Sequence, residues 1–463
     1  MKKLFFLLGL LVHLSATAEI QFQVKFSRPY AVTVFIRNLS AQRGPNPFKK
    51  LFTDSKFNNE RYKSLLASFD SIYVNYEHSF RDYPPFTKQG AETGSILNQH
   101  LINAQSLQDF KMRSIGLIPV DDLNKWVAII QEFTPVYESL IYEPNKITFE
   151  KQVKDIEALL VLKNIAGYFD QAKQFYNASW DNSIPFVFTF YPLPNSVGFT
   201  AANFNNIAVS AIPASLTNYN ALLSVLLHEL SHFLYDAQPL SFKKEMDAWF
   251  TANPSKFSRY AYRLLDESWA TAVGNGYFSE KLSGRLNPGN WYNQKYISRM
   301  GKLMYPLIKE YIDNKKPIDK TLVDRYIKIY EDSIPNSITE LDYILESRYA
   351  ISDDPSHFAA LDSIYPTHIE GEYYRDFSAE SFGKLKRMPV TKVIIVSGDN
   401  KKKLRLIREN FPELKNWQPN AKKDFIELQL VADKTQLVVI NLVENALEQQ
   451  LKLAASKSKP SKP

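Results

Sequence analysis

The chemistry of this chain is concentrated in one short motif, His-Glu-Leu-Ser-His, at residues 228–232. On an α-helix, residues four apart lie on the same face, so His228 and His232 can bind one metal ion while Glu229 acts on a water molecule beside it. A buried histidine pair is more often ordinary packing. Here, however, two of only 7 histidines fall at this spacing within an apolar segment. Because buried imidazole and carboxylate groups need polar partners, the motif predicts a zinc ion, provided that a third ligand is present.

Glu267 is the strongest candidate for the third zinc ligand. It lies 35 residues after His232, in a second predicted helix, and its sequence neighbours are largely apolar. A carboxylate in such surroundings needs a partner, although the alternative is that Glu267 faces solvent. Asp236 follows the motif on the same helical face, but about 6 Å further along the axis, which is too far to share the ion. We expect Asp236 at the surface or behind the ligands.

The motif and the later Glu-Ser-Trp-Ala at 267–270 resemble the gluzincin metallopeptidases, the thermolysin-like branch of the zincins. The resemblance covers roughly residues 184–277, including the strands before the motif helix. It implies a zinc-dependent hydrolase that cleaves peptide or protein substrates. In that chemistry Glu229 takes a proton from the attacking water and passes it to the leaving amine. The residues that would bind zinc are His228, His232 and Glu267.

One position departs from the gluzincin pattern. Thermolysin-like enzymes carry an aspartate four residues after the glutamate ligand, where it orients a histidine, but this chain has Thr271 there. The hydrogen bonds that orient the ligands are therefore expected from Thr271 or Asp266.

A zincin also needs a hydrogen-bond donor for the negative charge that develops on the substrate carbonyl oxygen, usually a tyrosine or a histidine. The sequence leaves four candidates open: Tyr277, Tyr365, His357 and His368. The two histidines lie in loop-like sequence, where functional groups often occur, although isolated loop histidines are more often simply exposed.

Strands are expected to lead into the motif helix. Residues 20–38 are rich in β-branched and aromatic residues, which predicts two strands joined by a turn at 27–29. Helical periodicity dominates from about 59 to 180. Three further strands are predicted at 185–191, 198–203 and 207–212. Because peptides commonly bind by adding a strand to a sheet edge, we expect the substrate along the hairpin 198–212.

Helices are expected to form the other wall of the cleft. The helix that carries Glu267 is predicted to span about 254–273 and to stop at Gly274-Asn275-Gly276. Three further helical segments follow, at 291–311, 318–330 and 338–348.

The C-terminal part differs in charge. Residues 384–463 carry 17 Lys and Arg against 8 Asp and Glu, in a chain whose net charge is +7. Strand and helix patterns predict a small basic α/β domain at 389–453, and 454–463 has the composition of a disordered tail. The basic run at 401–408 could bind an acidic partner, so a zincin-like binding protein is an alternative to an enzyme. A solvated helix face is the simpler explanation of that run.

The N-terminus predicts export. Residues 1–18 combine two lysines, an apolar run and Ala16-Thr17-Ala18, the pattern of a secretory signal peptide cleaved near Ala18. The apolar run is too short to span a bilayer, and no later stretch is apolar and long enough to do so. The chain has no cysteine, which excludes disulfides and thiol nucleophiles. An exported chain without disulfides fits a bacterial periplasm or exterior.

At 463 residues with 45% apolar content, the chain can form two or three domains. We predict an α+β, zincin-type two-lobed metallopeptidase, in which a mixed sheet and the motif helix face a mostly helical second lobe. The predicted parts are the signal peptide (1–18), N-terminal strands and helices (19–183), a catalytic core with the helical lobe (184–383), the α/β domain (389–453) and the tail (454–463). No nucleic acid partner is expected. The bond cleaved could also lie in cell-wall peptides, because zincin chemistry suits other amides.

Overall fold

The computed structural model describes residues 20–85, 87–88, 90–194, 198, 201–367 and 370–458. Helices predominate and two larger sheets accompany them, which confirms the predicted mixture of α and β structure. The predicted signal peptide lies outside the described residues. Within the part of the chain that is described, no helix is both long and apolar enough to cross a membrane.

The strands are, in chain order, β1 Phe22–Lys25, β2 Glu77–His78, β3 Ala91–Glu92, β4 Phe186–Leu193, β5 Ala201–Phe204, β6 Ile207–Pro213, β7 Ser347–Ile351, β8 Glu370–Tyr374, β9 Thr391–Ser397, β10 Phe425–Leu430 and β11 Gln436–Leu442. The helices before the motif are α1 Arg28–Leu39, α2 Pro47–Thr53, α3 Glu60–Asp70, α4 Thr93–Asn103, α5 Leu107–Ser114, α6 Val120–Tyr137, α7 Glu143–Leu162 and α8 Ile165–Tyr176. From the motif onward they are α9 Asn220–Asp236, α10 Leu240–Ala252, α11 Ser258–Ala270, α12 Ser279–Ser283, α13 Lys295–Asp313, α14 Lys320–Ser333, α15 Leu341–Ile344, α16 Ser356–Ile364, α17 Ala379–Arg387, α18 Asn400–Asn410 and α19 Leu447–Ser458. Segments of π-helix lie at Glu138–Tyr142 and Thr271–Phe278, and 3-10 turns at Ser337–Thr339 and Pro412–Leu414.

The first sheet positions the motif helix. Its described strands lie in the order β1-β4-β6-β5, with β1, β4 and β6 parallel and β5 antiparallel to β6. β6 is buried along its whole length, and the chain then enters α9, which carries the motif. The predicted hairpin before the motif helix is therefore present as β5 and β6, with β5 at the edge of the described sheet and packed against α9.

The second N-terminal strand predicted by the sequence is wrong, because residues 28–39 form a helix. At the start of α1, Ser27 accepts a hydrogen bond from the Tyr30 backbone N–H (3.4 Å), and Pro29 occupies the first turn. Residues 30–36 are all buried, and α1 packs against α6. Burial on nearly every side of the helix overrides the preference of its β-branched residues for strands.

The helix that carries Glu267 does not stop at Gly274 as predicted. α11 continues as the π-helical segment Thr271–Phe278 and then as α12. The π-helical segment packs along α9 so closely that a Cβ atom at Gly274 would lie 2.5 Å from the Cα atom of His228. Gly274 therefore permits a close approach between two segments rather than ending a helix.

The helical segments after the site are partly as predicted. Those predicted at 291–311 and 318–330 correspond to α13 and α14. The segment predicted at 338–348 instead becomes a 3-10 turn, the short α15 and the start of β7.

The second sheet begins well before residue 389, where the small α/β domain was predicted to start. Its described strands lie in the order β10-β11-β9-β7-β8, and all pairs are parallel except β10 with β11. Since β7 and β8 belong to this sheet, it already begins at Ser347, within the range assigned to the catalytic core. At the other end, the predicted disordered tail is helical up to Ser458 in α19, and 459–463 lie outside the described residues.

Candidate metal centre

The two motif histidines converge from α9. Most residues of α9 are buried, because the helix lies between the first sheet and the π-helical segment. The spacing of four residues brings the Nε2 atoms of His228 and His232 to 3.2 Å from each other. His228 is only 4% exposed, whereas the His232 side chain is 13% exposed, so the pair lies mostly below the protein surface.

Helix α11 brings the predicted third ligand to the same place. Glu267 Oε2 lies 3.6 Å from His228 Nε2 and 3.7 Å from His232 Nε2. The ligand atoms of the three residues all lie within 4.8 Å of one another. The structure thus brings together the three residues that the sequence predicts as zinc ligands, which we call the ligand group.

The spacing of these atoms fits a zinc ion. Zinc binds imidazole nitrogen and carboxylate oxygen at about 2.0–2.2 Å, so neighbouring ligand atoms of a tetrahedral site lie roughly 3.3–3.6 Å apart. The observed separations of 3.2, 3.6 and 3.7 Å are close to that range. In addition, Glu267 Oε2 is buried without a hydrogen bond of normal geometry to a described residue, which leaves it available to a cation.

The charges of the ligand group also suit a cation. Burial alone would raise the pKa of Glu267, but its contacts with the two histidines outweigh burial and lower the pKa to about 2. Burial opposes the charged form of His232, yet the carboxylates of Asp266, Glu267 and Glu229 raise its pKa to about 10. Without a metal, His232 therefore keeps a proton among carboxylates, and a metal ion would take the place of that proton.

Asp266 lies behind His232. Its Oδ1 atom is 3.0 Å from His232 Nδ1, on the side of the ring opposite Nε2, which is an ion-pair distance without the geometry of a hydrogen bond. The other residue expected in this role, Thr271, is buried with its hydroxyl unpaired among the described residues. Asp236 forms an ion pair with Lys88, so its carboxylate is engaged outside the ligand group.

Glu229 connects the ligand group to the sheet edge. Its backbone carbonyl accepts a hydrogen bond from Asn203 Nδ2 (2.9 Å), which ties β5 to the motif helix. Burial lowers the pKa of His232, but the charge of Glu229 is one of those that raise it. Burial raises the pKa of Tyr292, and the charge of Glu229 raises it further. The carboxylate therefore lies near the ligand group, where it can accept a proton from a water molecule.

Tyr292 lies at the site, but it is not among the residues predicted from the sequence. Its ring centroid lies 5.6 Å from that of His228, and its hydroxyl interacts with the Glu267 carboxylate. Burial, followed by the charge of Glu267, raises the pKa of Tyr292 above its usual value. The sequence predicts a helix at 291–311 that includes Tyr292, whereas in the structure Tyr292 lies in the loop before α13. The only sequence signal is an aromatic pair, Trp291 and Tyr292, in a segment rich in Asn, Pro and Gly.

Of the four candidate oxyanion donors predicted from sequence, three lie within the described residues. The Tyr277 hydroxyl donates to Gln171 Oε1 (2.8 Å), and His357 Nδ1 lies 2.8 Å from Ser352 Oγ. The Tyr365 hydroxyl is buried without a hydrogen-bond partner among the described residues. His368 lies outside the described residues. These contacts do not support a donor role for Tyr277 or His357, whereas the position of Tyr292 does.

A small cavity adjoins the ligand group. It has a volume of about 120 Å³, and His232 and Asn203 form part of its wall. Phe80, Lys88 and Glu92 line it from the N-terminal part of the chain. The end of β5 and one ligand residue thus face a common space.

Comparison with known proteins finds no family model, no curated protein and no solved structure that matches this chain.

Proposed function

We propose that this protein is an exported, zinc-dependent metallopeptidase with a zincin-type, two-lobed arrangement about α9. The observation that carries the proposal is the convergence of His228, His232 and Glu267, with ligand atoms 3.2, 3.6 and 3.7 Å apart. The proposal of export, to a periplasm or the exterior, rests on the sequence pattern of residues 1–18.

The three residues of the ligand group would hold the ion. When bound, zinc supplies a Lewis acid that polarises an amide carbonyl and lowers the pKa of water. Asp266, 3.0 Å from His232 Nδ1, would favour the ring orientation in which Nε2 faces the ligand group.

Glu229 would transfer the proton, and Tyr292 would stabilise the negative charge that develops on the substrate. Glu229 accepts a proton from the attacking water and delivers it to the leaving amine. A tyrosine hydroxyl is protonated at neutral pH, and burial together with the charge of Glu267 raises the pKa of Tyr292 further. It can therefore donate a hydrogen bond to the oxyanion that forms on the substrate.

The substrate would bind as an extended strand along β5. Among the described strands β5 pairs only with β6, so its other edge can exchange hydrogen bonds with a peptide backbone. Asn203 on this strand donates a hydrogen bond to the backbone carbonyl of Glu229 (2.9 Å), so the strand is tied to the residue that we propose as the proton acceptor. This proximity favours a peptide substrate.

The experiment that tests this function compares wild-type mature protein with Glu229→Gln. Both should contain about one zinc ion per chain, because Glu229 is not a ligand. Cleavage of a peptide library should fall by roughly 10²–10⁴-fold in the variant, since the proton acceptor is lost. Zinc is measured by elemental mass spectrometry and cleavage by product analysis.

Glu245→Gln provides a matched control, because Glu245 is an exposed residue of α10 and carries the same chemical change. It should retain both zinc and activity. A Glu229→Gln variant that cleaves as fast as wild type would disprove the mechanism, and wild-type protein without zinc affinity would disprove the metal site.

A further inference from the structure

The basic run of α18 lines a groove, which we call the α18 groove. It has a volume of about 720 Å³, and residues 418–421 form the wall opposite the helix. Four exposed cations of the helix line it, namely Lys401, Lys402, Arg405 and Arg408. Asp399 contributes the only carboxylate among the described residues that line the groove. Four cations against one carboxylate leave an excess of positive charge in a concave surface.

The protein itself does little to neutralise these cations. Of the four, only Arg405 forms an ion pair with a described residue, and its Nε atom lies 3.5 Å from a carboxylate oxygen of Glu409. Lysines on other exposed helix faces have an acidic residue four positions away. In α13 and α14 these pairs are Lys309–Asp313, Lys320–Asp324 and Lys328–Asp332. Unlike those helices, α18 keeps most of its positive charge free to attract an external anion.

The cations follow one side of the helix. Lys401, Arg405 and Arg408 are four and three positions apart, so they lie on the same face of α18. At about 1.5 Å per residue, this row is roughly 10 Å long. Lys403 instead forms an ion pair with Asp353 and does not line the groove. The positive charge is therefore arranged as a row along the groove, which suits a linear chain of anionic groups.

The other lining residues indicate which kind of chain fits. No aromatic residue lines the groove among those that the structure describes, so it lacks the stacking surface on which proteins bind the bases of single-stranded nucleic acids. The described lining also contains no exposed large apolar side chain, which binding to a membrane surface through a buried apolar face would require. These features favour a polymer without bases, in solution or on a hydrated surface.

The density of the positive charge favours phosphate over carboxylate groups. Four cations over roughly 10 Å of helix call for about one anionic group every 3–4 Å. An extended acidic peptide rises about 3.3 Å per residue and alternates its side chains, so carboxylates on one face recur only about every 6.6 Å. The planar guanidinium groups of Arg405 and Arg408 match the oxygens of phosphate. A phosphate chain carries a charge on every unit and supplies the denser row.

We propose that the α18 groove binds a linear phosphate polymer through Lys401, Lys402, Arg405 and Arg408. The groove shares no residue with the ligand group, so this inference does not rest on the proposed zinc site. It assigns the C-terminal part of the chain a binding function of its own.

The experiment measures the binding of fluorescently labelled inorganic polyphosphate to the mature protein by fluorescence anisotropy, over a series of salt concentrations. The affinity of wild type should fall steeply as salt rises, because the cations release counterions from the polymer. The triple variant Lys401→Gln, Arg405→Gln and Arg408→Gln should bind on the order of 10–100-fold more weakly at low salt. Its plot of log affinity against log salt should be flatter by roughly 2, at about 0.7 for each lost phosphate contact.

A triple variant of α14 provides the matched control. Lys320→Gln, Arg325→Gln and Lys328→Gln together remove the same three positive charges from another exposed helix face. Because charges outside the contact are screened by salt, this variant should bind polyphosphate within about twofold of wild type. Both triple variants keep the ligand group, so any contact of polyphosphate with bound zinc affects them equally. Circular dichroism establishes that each variant folds.

An equal loss of affinity in the two triple variants would overturn the inference, because binding would then follow net charge alone. A wild-type affinity no higher than that of the α18 variant would do the same. Poly-L-glutamate and single-stranded oligothymidylate of equal charge are measured beside polyphosphate. If either bound wild type as tightly as polyphosphate does, the assignment to a phosphate polymer without bases would be wrong.

Discussion

Two histidine and carboxylate clusters of this protein have opposite surroundings. At the candidate metal centre, two imidazoles and the Glu267 carboxylate converge within 4.8 Å. At the start of α16, just after β7 of the second sheet, His357 lies 2.8 Å from Ser352 Oγ and 3.7 Å from a carboxylate oxygen of Asp354, whose side chain is 50% exposed. Burial lowers the pKa of His357, whereas carboxylates overcome burial and raise the pKa of His232 to about 10.

The difference separates a ligand group from a structural histidine. His357 lies in α16 rather than in the loop expected from sequence, and it is satisfied by the Ser352 hydroxyl that precedes the helix. It gains little from the exposed Asp354, because solvent screens that charge. His232 instead lies among several carboxylates, whose negative charges favour a positive charge at this place, either a proton on the ring or a metal ion. The convergence of donors, rather than the presence of a histidine beside an acid, is the informative feature.

The largest expected contrast comes from removing one imidazole of each cluster. His232→Ala deletes a ligand, so zinc affinity should fall by on the order of 10³-fold or more. His357→Ala should leave zinc affinity unchanged. Competition with a chromophoric chelator measures both. If His357→Ala weakened zinc binding as much as His232→Ala, the distinction between the two clusters would fail.

The next contrast concerns tyrosines. Tyr292→Phe removes the proposed oxyanion donor, so kcat for peptide cleavage should fall by roughly 10²–10³-fold, with zinc content unchanged. Tyr365→Phe makes the same change at a buried hydroxyl that was a candidate from sequence, and it should leave kcat unaltered. Steady-state kinetics on one peptide substrate distinguishes the two. A loss of activity in Tyr365→Phe alone would reassign the donor.

The smallest expected contrast is in stability, between alanine substitutions at two glycines. A Cβ atom at Gly274 would lie 2.5 Å from His228 Cα, so Gly274→Ala should lower the free energy of unfolding by about 1–3 kcal/mol and weaken zinc binding. Gly383, in α17, has open space around its Cβ position, so Gly383→Ala should raise stability by roughly 0.5–1 kcal/mol. Urea unfolding monitors both variants. An unchanged midpoint for Gly274→Ala would mean that the π-helical segment can move away from α9.

The convergence of the ligand group is predictable from sequence because its signal is local. A spacing of four residues on an apolar helix fixes the relative position of His228 and His232, and a glutamate within an apolar helix stands out. Tyr292 carries no such signal. Its place depends on the loop before α13, which is anchored where Trp291 packs against Gly276 and the ring of Tyr305. These contacts join residues far apart in the sequence.

The errors in the predicted fold share one physical cause. The β-branched residues of α1 favour a strand by propensity, but burial on nearly all sides of the helix decides otherwise. Gly274 looks like a helix terminator, yet its lack of a side chain serves the contact with α9. In both places, tertiary packing outweighs the local preference. The buried position of Lys243 is likewise set by the packing of α10, since a lysine in sequence predicts an exposed side chain.

The position of β5, which is the outermost of the described strands in its sheet, also bears on self-association. Unprotected strand edges can pair with strands of other molecules, and long flat edges promote aggregation. β5 has 4 residues, which gives an edge of roughly 13 Å at about 3.3 Å per residue. At its end, Asn205 Nδ2 donates to Gln99 Oε1 of α4 (3.1 Å), so a helix limits further extension of the strand. The edge is therefore long enough to engage a short peptide segment but too short to support continuous sheet growth between copies of the protein.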